Sequence, residues 1–359
     1  MRSSLVMDLS RSCHISASAN QSAVIRAKVF RRWMMTKLFT IASSALNRRS
    51  HLSLAGATCE FATNSEDLHS ALQPWCCSEE SHPPVQFTMD TMVCEESMQP
   101  RRPPHFRGLH HVVVASFGDS DVFIFDLLRR KVSSMVSRTT AQDVRFWNAT
   151  ILPLTLGVLG ATVGVLPVHC ACLSLNREGM LIAGASGAGK STLSIALAQS
   201  GLDFVSDDWT YISYHQHRLS ADGMSAPAKL LPDAIRYFPV LEHHSLRHAL
   251  DGELAYEVTA ADVGINAIRC CEPRWVLFPE RLDILHSELV PVPTGQTRAY
   301  LESNVEFLPP QLATAALKRE GLMMRLSELP CWKFRYGGTP QFAAQELRRL
   351  FAIAVGATA

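Results

Sequence analysis

A short apolar run, a glycine-rich stretch and a segment rich in Leu and Ala follow one another near the middle of the chain. The apolar residues 179–183 predict a buried strand, and residues 191–199, which are mostly strong helix formers, predict a helix of about three turns. Gly201 stands where a glycine commonly ends a helix, and residues 203–206 predict a second strand. The order strand, loop, helix, strand predicts a βαβ unit.

The loop of this unit fits a phosphate-binding pattern. Residues 184–191, Gly-Ala-Ser-Gly-Ala-Gly-Lys-Ser, match G-x-x-x-x-G-K-[ST] at every position. Glycines let backbone N–H groups converge on phosphate oxygens, and the following helix offers its positive N-terminus. Lys190 is suited to the β- and γ-phosphates and the Ser191 hydroxyl to Mg²⁺. The candidate nucleotide-binding residues are Gly184, Ala185, Ser186, Gly187, Ala188, Gly189, Lys190, Ser191 and Thr192.

An acidic pair indicates which phosphate chemistry to expect. Asp207 and Asp208 follow the second strand, so they should emerge beside the γ-phosphate at the carboxyl edge of the sheet. Neighbouring residues at a strand end point to opposite sides, so one carboxylate can face a metal and the other an incoming hydroxyl. The alternative for this pair is a solvated turn. A transporter ATPase is disfavoured, because the sequence has no Leu-Ser-Gly-Gly-Gln stretch.

These residues resemble the bacterial HPr serine kinase/phosphorylases, whose nucleotide-binding fold is shared with phosphoenolpyruvate carboxykinases. The likeness is carried by residues 184–191, by residues 200–208 and by His169, which precedes the loop, and it is specific over about residues 165–212. It implies an α/β fold with a P-loop nucleotide-binding domain of the HPr kinase/carboxykinase type. The implied site residues are Asp207 as acid/base, Asp208 and Ser191 as Mg²⁺ ligands, Lys190 and Ser186 at the reacting phosphate, and His169 near Asp207.

The chain departs from the family pattern at two places. Thr192 stands where the family often has an acidic residue, and the Glu-Ile-Arg-Gly-Leu-Gly segment is missing. These departures favour kinase chemistry over phosphorylase chemistry and leave the acceptor unidentified. For His169 the alternative interpretation is a core histidine on a buried strand, bonded to a backbone carbonyl.

Three regions are predicted along the chain. Residues 1–52 are rich in Lys, Arg and Ser with one acid, Asp8, and are interpreted as a disordered or mis-called N-terminal extension; a transit peptide is the alternative. Residues 53–145 predict a small α/β module, with a helix over 65–72, a hairpin over 110–126 and a long proline-rich loop over 78–107. Residues 146–359 form the predicted kinase domain.

Several features of the third region have two interpretations. Residues 151–168 are apolar enough to suggest a membrane helix, but their prolines and glycines favour a buried helix followed by a core strand. Residues 225–232 and 275–278 predict further strands of the nucleotide-binding sheet. Arg269 or Arg274 could reach the γ-phosphate, although arginines more often form surface ion pairs. Residues 339–354 predict an amphipathic helix that packs through Phe342, Leu347, Leu350 and Phe351.

Composition limits the class of protein. The chain has 359 residues, a net charge of +1, 19% charged and 47% hydrophobic residues, and no basic patch that would favour nucleic acid. Its 10 cysteines are irregularly placed and form neither a disulfide framework nor a zinc pattern, which favours a reducing compartment.

The prediction is a cytoplasmic, ATP- and Mg²⁺-dependent kinase that transfers the γ-phosphoryl group to a serine of a protein or peptide. Neither nucleic acid nor a membrane is an expected partner, and the family resemblance implies a possible homo-oligomer. Two alternatives stay open: a small-molecule kinase of the same fold, and a nucleotide-binding regulatory module with little turnover. An intact Asp207 argues against the second, because a pure binder could dispense with a base.

Overall fold

The computed structural model describes residues 45–77, 84–94, 102–118, 120–185, 187–224, 227–249, 253–303, 305 and 312–356. Contacts along the chain divide these residues into two units, with the division between Phe146 and Trp147. Most of the predicted N-terminal extension, residues 1–44, lies outside the described residues.

The N-terminal unit is a seven-stranded sheet with short helices. The strand order is β1-β2-β3-β7-β6-β5-β4, in which β2, β3 and β7 are parallel and the other pairs are antiparallel. The strands are β1 (Arg48–Leu54), β2 (Ala57–Thr63), β3 (Phe87–Cys94), β4 (His105–Leu109), β5 (Val112–Ser116), β6 (Val122–Asp126) and β7 (Lys131–Ser137). The helices are α1 (Glu66–Ala71), α2 (Arg138–Gln142) and α3 (Val144–Phe146), with a 3-10 turn at Gln73–Trp75.

Two sequence predictions for this unit are corrected. The extension cannot reach residue 52, because β1 begins at Arg48 and pairs with β2. The proline-rich stretch 78–107 is not one long loop, since it contains β3, which lies between β2 and β7. Phe87, Met89 and Thr91 are buried at alternate positions of β3, the period-two pattern of a strand, but prolines and charged residues on both sides obscured it. The helix and the β5–β6 hairpin are confirmed.

A nine-stranded sheet organises the C-terminal unit. Its order is β11-β9-β10-β17-β13-β12-β8, with β19 also beside β17 and β18 beside β19. The strands are β8 (Val165–Val168), β9 (Cys170–Leu175), β10 (Glu178–Ala183), β11 (Asp203–Ser206), β12 (Thr210–His215), β13 (Arg218–Asp222), β17 (Cys270–Arg281), β18 (Glu288–Pro291) and β19 (Cys331–Tyr336). A separate three-stranded sheet contains β14 (Ala228–Leu230), β15 (Arg247–His248) and β16 (Leu254–Val258).

Helices cover both faces of the nine-stranded sheet. They are α4 (Leu152–Val163), preceded by one π-helical turn at Trp147–Ile151, α5 (Lys190–Gln199), α6 (Thr294–Glu302), α7 (Ala313–Ser327) and α8 (Pro340–Gly356); 3-10 turns lie at Pro232–Arg236 and Pro239–His243. One core packs α5 and α8 on the sheet through Leu193, Leu197 and Leu347. The other core contains Leu301 of α6 and Leu326 of α7. The chain therefore has a mixed α/β fold with several sheets.

The apolar segment before β8 is a helix and then a core strand. The helical run Val144–Val163 is long and apolar enough to cross a membrane by length and composition, with a mean hydropathy of 1.4, but 61% of that window is buried inside the protein. Gly164 ends α4 in the left-handed conformation, at φ 83°, and β8 follows at once with all four residues buried. This is the burial pattern of a core helix.

Two further predictions for this unit are corrected. The strand predicted within 225–232 exists as β14, but it belongs to the three-stranded sheet. The C-terminal helix buries Leu347 completely and Leu350 partly, whereas Phe342 is 44% exposed. Ala343 and Ala344 are fully buried instead, because small side chains allow α8 to approach α5 closely.

Candidate active site

The glycine-rich loop joins the carboxyl end of β10 to the first turn of α5. β10 ends at Ala183 and α5 begins at Lys190, as the predicted βαβ unit requires. Gly187 and Gly189 have φ values of 81° and 84°, a left-handed backbone that favours glycine. Ser186, predicted to approach the reacting phosphoryl group, lies outside the described residues. The loop thus curls over the N-terminus of α5, where N–H groups have no partner within the helix.

Lys190 is folded under this loop. Its Nζ donates hydrogen bonds to the carbonyl oxygens of Gly184 at 2.9 Å and Ala185 at 3.3 Å, and the residue is 7% exposed. Burial lowers the pKa of Lys190, although the nearby charges of Asp208 and Asp207 oppose that shift. The ammonium group is therefore held between the loop and the acidic pair, where an anion in the loop would meet it.

Two short breaks between strands lie side by side at the edge of the sheet that carries the glycine-rich loop, and one of them contains the acidic pair. β8 and β9 are separated by His169, and β11 and β12 are separated by residues 207–209. β12 pairs with β8 and β11 pairs with β9, so the two interruptions lie opposite each other. The hydroxyl of Thr210 donates to the carbonyl oxygen of Cys170 at 2.9 Å across this point. Because β10 and β11 are both antiparallel to β9, the acidic pair and the glycine-rich loop share one edge.

Asp207 is buried and held by several donors. The Ser194 hydroxyl donates to its Oδ1 at 3.2 Å, the backbone N–H of Lys229 donates to its Oδ2 at 3.0 Å, and its carboxylate also accepts from Ser191. Burial raises the pKa of Asp207 to about 6; the Lys229 amide and both serines lower it, while the charge of Asp208 raises it. This carboxyl group can therefore exchange a proton close to neutral pH.

Asp208 lies in a different environment from its neighbour. Its side chain is 58% exposed, and its Oδ1 lies 2.7 Å from Nε2 of His169. Burial by the surrounding protein acts to raise the pKa of Asp208, but the hydrogen bond and charge of His169, together with Lys190 and Lys229, lower it overall. The His169 ring also stacks on Trp209, with centroids 5.4 Å apart and planes 27° apart.

These contacts correct the expected pairing of the site residues. His169 was expected to lie near Asp207, and it contacts Asp208 instead. The Ser191 hydroxyl contacts Asp207, and its expected role as a Mg²⁺ ligand together with Asp208 stays a prediction. The interpretation of His169 as a core histidine bonded to a carbonyl is also wrong, because its side chain is 29% exposed at a bend and paired with a carboxylate. The physical reason is the turn after β11, which directs successive side chains to opposite sides.

Neither arginine proposed for the γ-phosphate is near the loop. Arg274 pairs with Glu178 at 3.7 Å and Glu272 at 3.2 Å. Glu178 begins β10, so this cluster lies at the opposite end of the strand from Gly184. Arg269 precedes the first residue of β17, which runs parallel to β10, and it is therefore at the same distant edge. Both positions favour surface ion pairing over a catalytic role.

Sequence reasoning missed two groups that hold Asp207. Ser194 lies one helical turn after Ser191 on α5, so an i, i+3 argument could have placed both hydroxyls on one face. Lys229 contributes its backbone N–H from β14, in another sheet, and no local pattern indicates that contact.

Among the described residues, no three His, Cys, Asp or Glu side chains converge on a point where they could hold a metal. That is compatible with Mg²⁺, which is commonly held by one or two protein oxygens together with substrate phosphates and water. The oxygens of Ser191, Asp207 and Asp208 at the loop edge fit such a site. Thr192, also predicted to bind nucleotide, lies in the first turn of α5.

Comparison with known proteins adds little. No protein-family model matches the sequence, and no curated protein matches it. Among solved structures, an HPr(Ser) kinase/phosphatase from Coxiella burnetii is similar to 54% of this chain, over 94% of its own length, with 14% identity and a TM-score of 0.28. A TM-score at this level carries no functional argument, so the case for a function depends on the residues of the loop and the acidic pair.

Proposed function

We propose that this protein is an ATP-dependent kinase of the HPr serine kinase type, which transfers the γ-phosphoryl group to a serine hydroxyl of a protein or peptide. The observation that carries this proposal is the convergence of Lys190 with two differently placed carboxylates at the mouth of one glycine-rich loop. A phosphate-binding loop alone supports binding. A buried, near-neutral carboxyl group beside a charged, exposed one supports proton transfer as well.

The nucleotide would bind through its phosphates. The N–H groups of the loop and of the first turn of α5 would donate to the β- and γ-phosphates, and Lys190 would exchange its carbonyl partners for phosphate oxygens. Ser191 and Asp208 would hold Mg²⁺, which when bound neutralises charge on the phosphates. The lowered pKa of Asp208 keeps that carboxylate ionised, as a metal ligand must be.

Asp207 would act as the base. The acceptor hydroxyl gives its proton to the Asp207 carboxylate, its oxygen forms the new bond to the γ-phosphorus, and the bond from that phosphorus to the bridging oxygen breaks to release ADP. A base with a pKa near 6 is ionised at neutral pH and still accepts a proton effectively.

A second assignment of the two aspartates is supported by their exposure. Asp208 is 58% exposed and faces an approaching acceptor more openly than Asp207, which is 5% exposed and bonded to Ser191. In this version Asp208 with His169 is the base, and Asp207 with Ser191 holds the metal. Both assignments describe the same reaction. They differ in which aspartate, when replaced by asparagine, raises the Mg²⁺ concentration required.

Measurement of nucleotide binding and of phosphoryl transfer on the same variants tests the proposal. We expect the wild-type protein to bind Mg·ATP by calorimetry and to form ADP in the presence of serine-containing peptides. Asp207→Asn should leave ATP affinity near the wild-type value and reduce transfer about 10²- to 10⁴-fold. Asp208→Asn should instead raise the Mg²⁺ concentration required.

The alternatives give different results in the same assay. If Asp208→Asn reduced transfer and Asp207→Asn raised the Mg²⁺ concentration required, the second assignment would be supported. Transfer to sugars or other small alcohols but not to peptides would identify a small-molecule kinase, and tight ATP binding with no turnover would identify a regulatory module. Absence of any nucleotide binding by the folded wild-type protein would refute the proposed function.

A further inference from the structure

Two strands beside β10 end next to the glycine-rich loop. β17 and β19 are parallel to β10 and to each other, so their carboxyl ends lie at the loop edge, where Arg281 pairs in register with Tyr336. A methyl group added at Gly184 would contact Cδ of Pro279 on β17 at 3.8 Å. A methyl group added at Gly189 would lie 3.2 Å from the Tyr336 hydroxyl. Both ends of the loop therefore face this pair of strands.

The guanidinium group of Arg281 is held at this edge by uncharged hydrogen-bond acceptors. Its Nη2 donates to the hydroxyl of Tyr237 at 3.0 Å and to the carbonyl oxygen of Gly338 at 3.3 Å, and its Cζ lies 5.8 Å from the Tyr237 ring centroid. The residue is exposed, and no carboxylate in the described part of the chain pairs with it. Its side chain leaves β17 on the same face as Leu277, the face that carries α5 and α8.

The direction of a bound nucleotide follows from the strand order. The acidic pair follows β11, which lies two strands from β10 on one side, whereas Arg281 and Tyr336 end β17 and β19 on the other side. A triphosphate whose γ-phosphate faces the carboxylates must extend its α-phosphate, and the nucleoside attached to it, away from them. The nucleoside would then reach the β17 and β19 ends.

We propose that Arg281, Tyr237 and Tyr336 form the nucleoside subsite of this nucleotide site. The inference rests on the proposed function, because it requires a triphosphate in the loop. The planar guanidinium of Arg281, already positioned by two acceptors, stacks on the flat face of the base. The Tyr336 hydroxyl at the loop hydrogen-bonds to the sugar or the base. The ligand is therefore a nucleoside triphosphate, bound through its base as well as its phosphates.

The test compares ATP with inorganic tripolyphosphate, which carries the phosphates and no nucleoside. Calorimetry with Mg²⁺ is done on the wild-type protein, Arg281→Ala and Arg281→Lys. We expect Arg281→Ala to weaken ATP binding about 5- to 100-fold, as loss of one stacked base does, with tripolyphosphate affinity unchanged. Arg281→Lys keeps the charge but not the planar group, so it should resemble Arg281→Ala.

Arg335→Ala is the matched control. Arg335 lies next to Tyr336 on β19 and pairs with Glu280 at 2.9 Å and Glu288 at 3.1 Å. This control should bind both ligands as the wild type does, and melting temperatures establish that every variant is folded.

Four results would overturn the inference. If Arg281→Ala lowered the affinities for ATP and for tripolyphosphate equally, the arginine would contact the phosphates. If Arg281→Ala left ATP affinity unchanged, or if the wild-type protein bound ATP no better than tripolyphosphate, Arg281 would not belong to the site. The phosphate site and the proposed function would remain. Failure of the wild-type protein to bind either ligand would instead defeat the proposed function, and the subsite with it.

Discussion

Nε2 of His169 donates a hydrogen bond at 2.7 Å to Asp208, the exposed member of the acidic pair, while the buried member, Asp207, is held by Ser194 and Lys229. Two adjacent carboxylates thus have separate sets of partners and pKa values that move in opposite directions. Such separation is how neighbouring acids acquire different roles in a catalytic site.

Substitution of His169 should change the metal requirement. Loss of the imidazole in His169→Ala removes the hydrogen bond and charge that lower the pKa of Asp208 and frees its side chain to rotate. We expect a several-fold higher Mg²⁺ concentration at half-maximal ATP turnover, with the acidic limb of the pH–rate profile unchanged.

His169→Gln provides the control for that experiment, because its amide can still donate to Asp208. It should recover much of the wild-type Mg²⁺ response. A shifted acidic limb with normal Mg²⁺ dependence would show instead that His169 acts on Asp207.

The raised pKa of Asp207 predicts how stability depends on pH. Between the ordinary value of 3.8 and about 6, the folded protein keeps a proton that the unfolded chain has lost, so the free energy of unfolding falls as pH rises through this window. The loss amounts to about 3 kcal/mol above pH 6, since each pH unit corresponds to about 1.4 kcal/mol. Denaturation of the wild type at pH 4.5 and pH 7 should show about 2 kcal/mol of this loss, because about 1.5 pH units of the window lie above pH 4.5.

Asp207→Asn, which cannot ionise, should lose most of this pH dependence. Asp233→Asn is the control, because Asp233 is exposed and pairs with Arg236 at the surface. An Asp207→Asn protein whose stability still falls between pH 4.5 and pH 7 by the wild-type amount would contradict the raised pKa.

Lys190→Ala should separate nucleotide binding from folding. The change removes a positive charge from the loop, so Mg·ATP affinity should fall about 10- to 1,000-fold by calorimetry. Lys131→Ala, which breaks the 2.6 Å ion pair with Asp90 in the N-terminal unit, should leave affinity unchanged. Unaltered ATP binding by a folded Lys190→Ala protein would rule out the loop as the phosphate site.

Gly223, which follows β13, allows the chain to pass close to Val205 of β11. A methyl group here would lie 1.8 Å from the carbonyl oxygen of Val205, and the Gly223 N–H already donates to Arg269. Gly223→Ala should therefore lower the free energy of unfolding by about 3 kcal/mol or more, as measured by urea denaturation.

Gly157→Ala is the matched comparison. Gly157 is exposed on α4 with no atom near an added methyl group, so alanine should stabilise the helix by up to about 1 kcal/mol. Similar effects of the two substitutions would mean that the close contact at Gly223 relaxes without cost.

The arrangement around the loop could be predicted from the sequence because its signals are local. Apolar runs, glycines and helix formers within residues 179–206 determine strand, turn and helix over distances of a few residues. The position of Asp207 and Asp208 at the end of the next strand follows from the same order. Buried strands between clear turns, such as β10 and β11, carry these signals strongly.

Contacts between distant segments were decided by the tertiary structure. The partner of His169 depends on β8 and β9 lying beside β12 and β11, and on which way the turn after Ser206 directs each aspartate. Which arginine lies near the glycine-rich loop depends on strand direction, which places Arg281 at the loop edge and Arg274 at the opposite edge. The sequence alone determined the elements and the residues able to do chemistry. Only packing decided which of them meet, because pairing free energy depends on register and burial across the whole sheet.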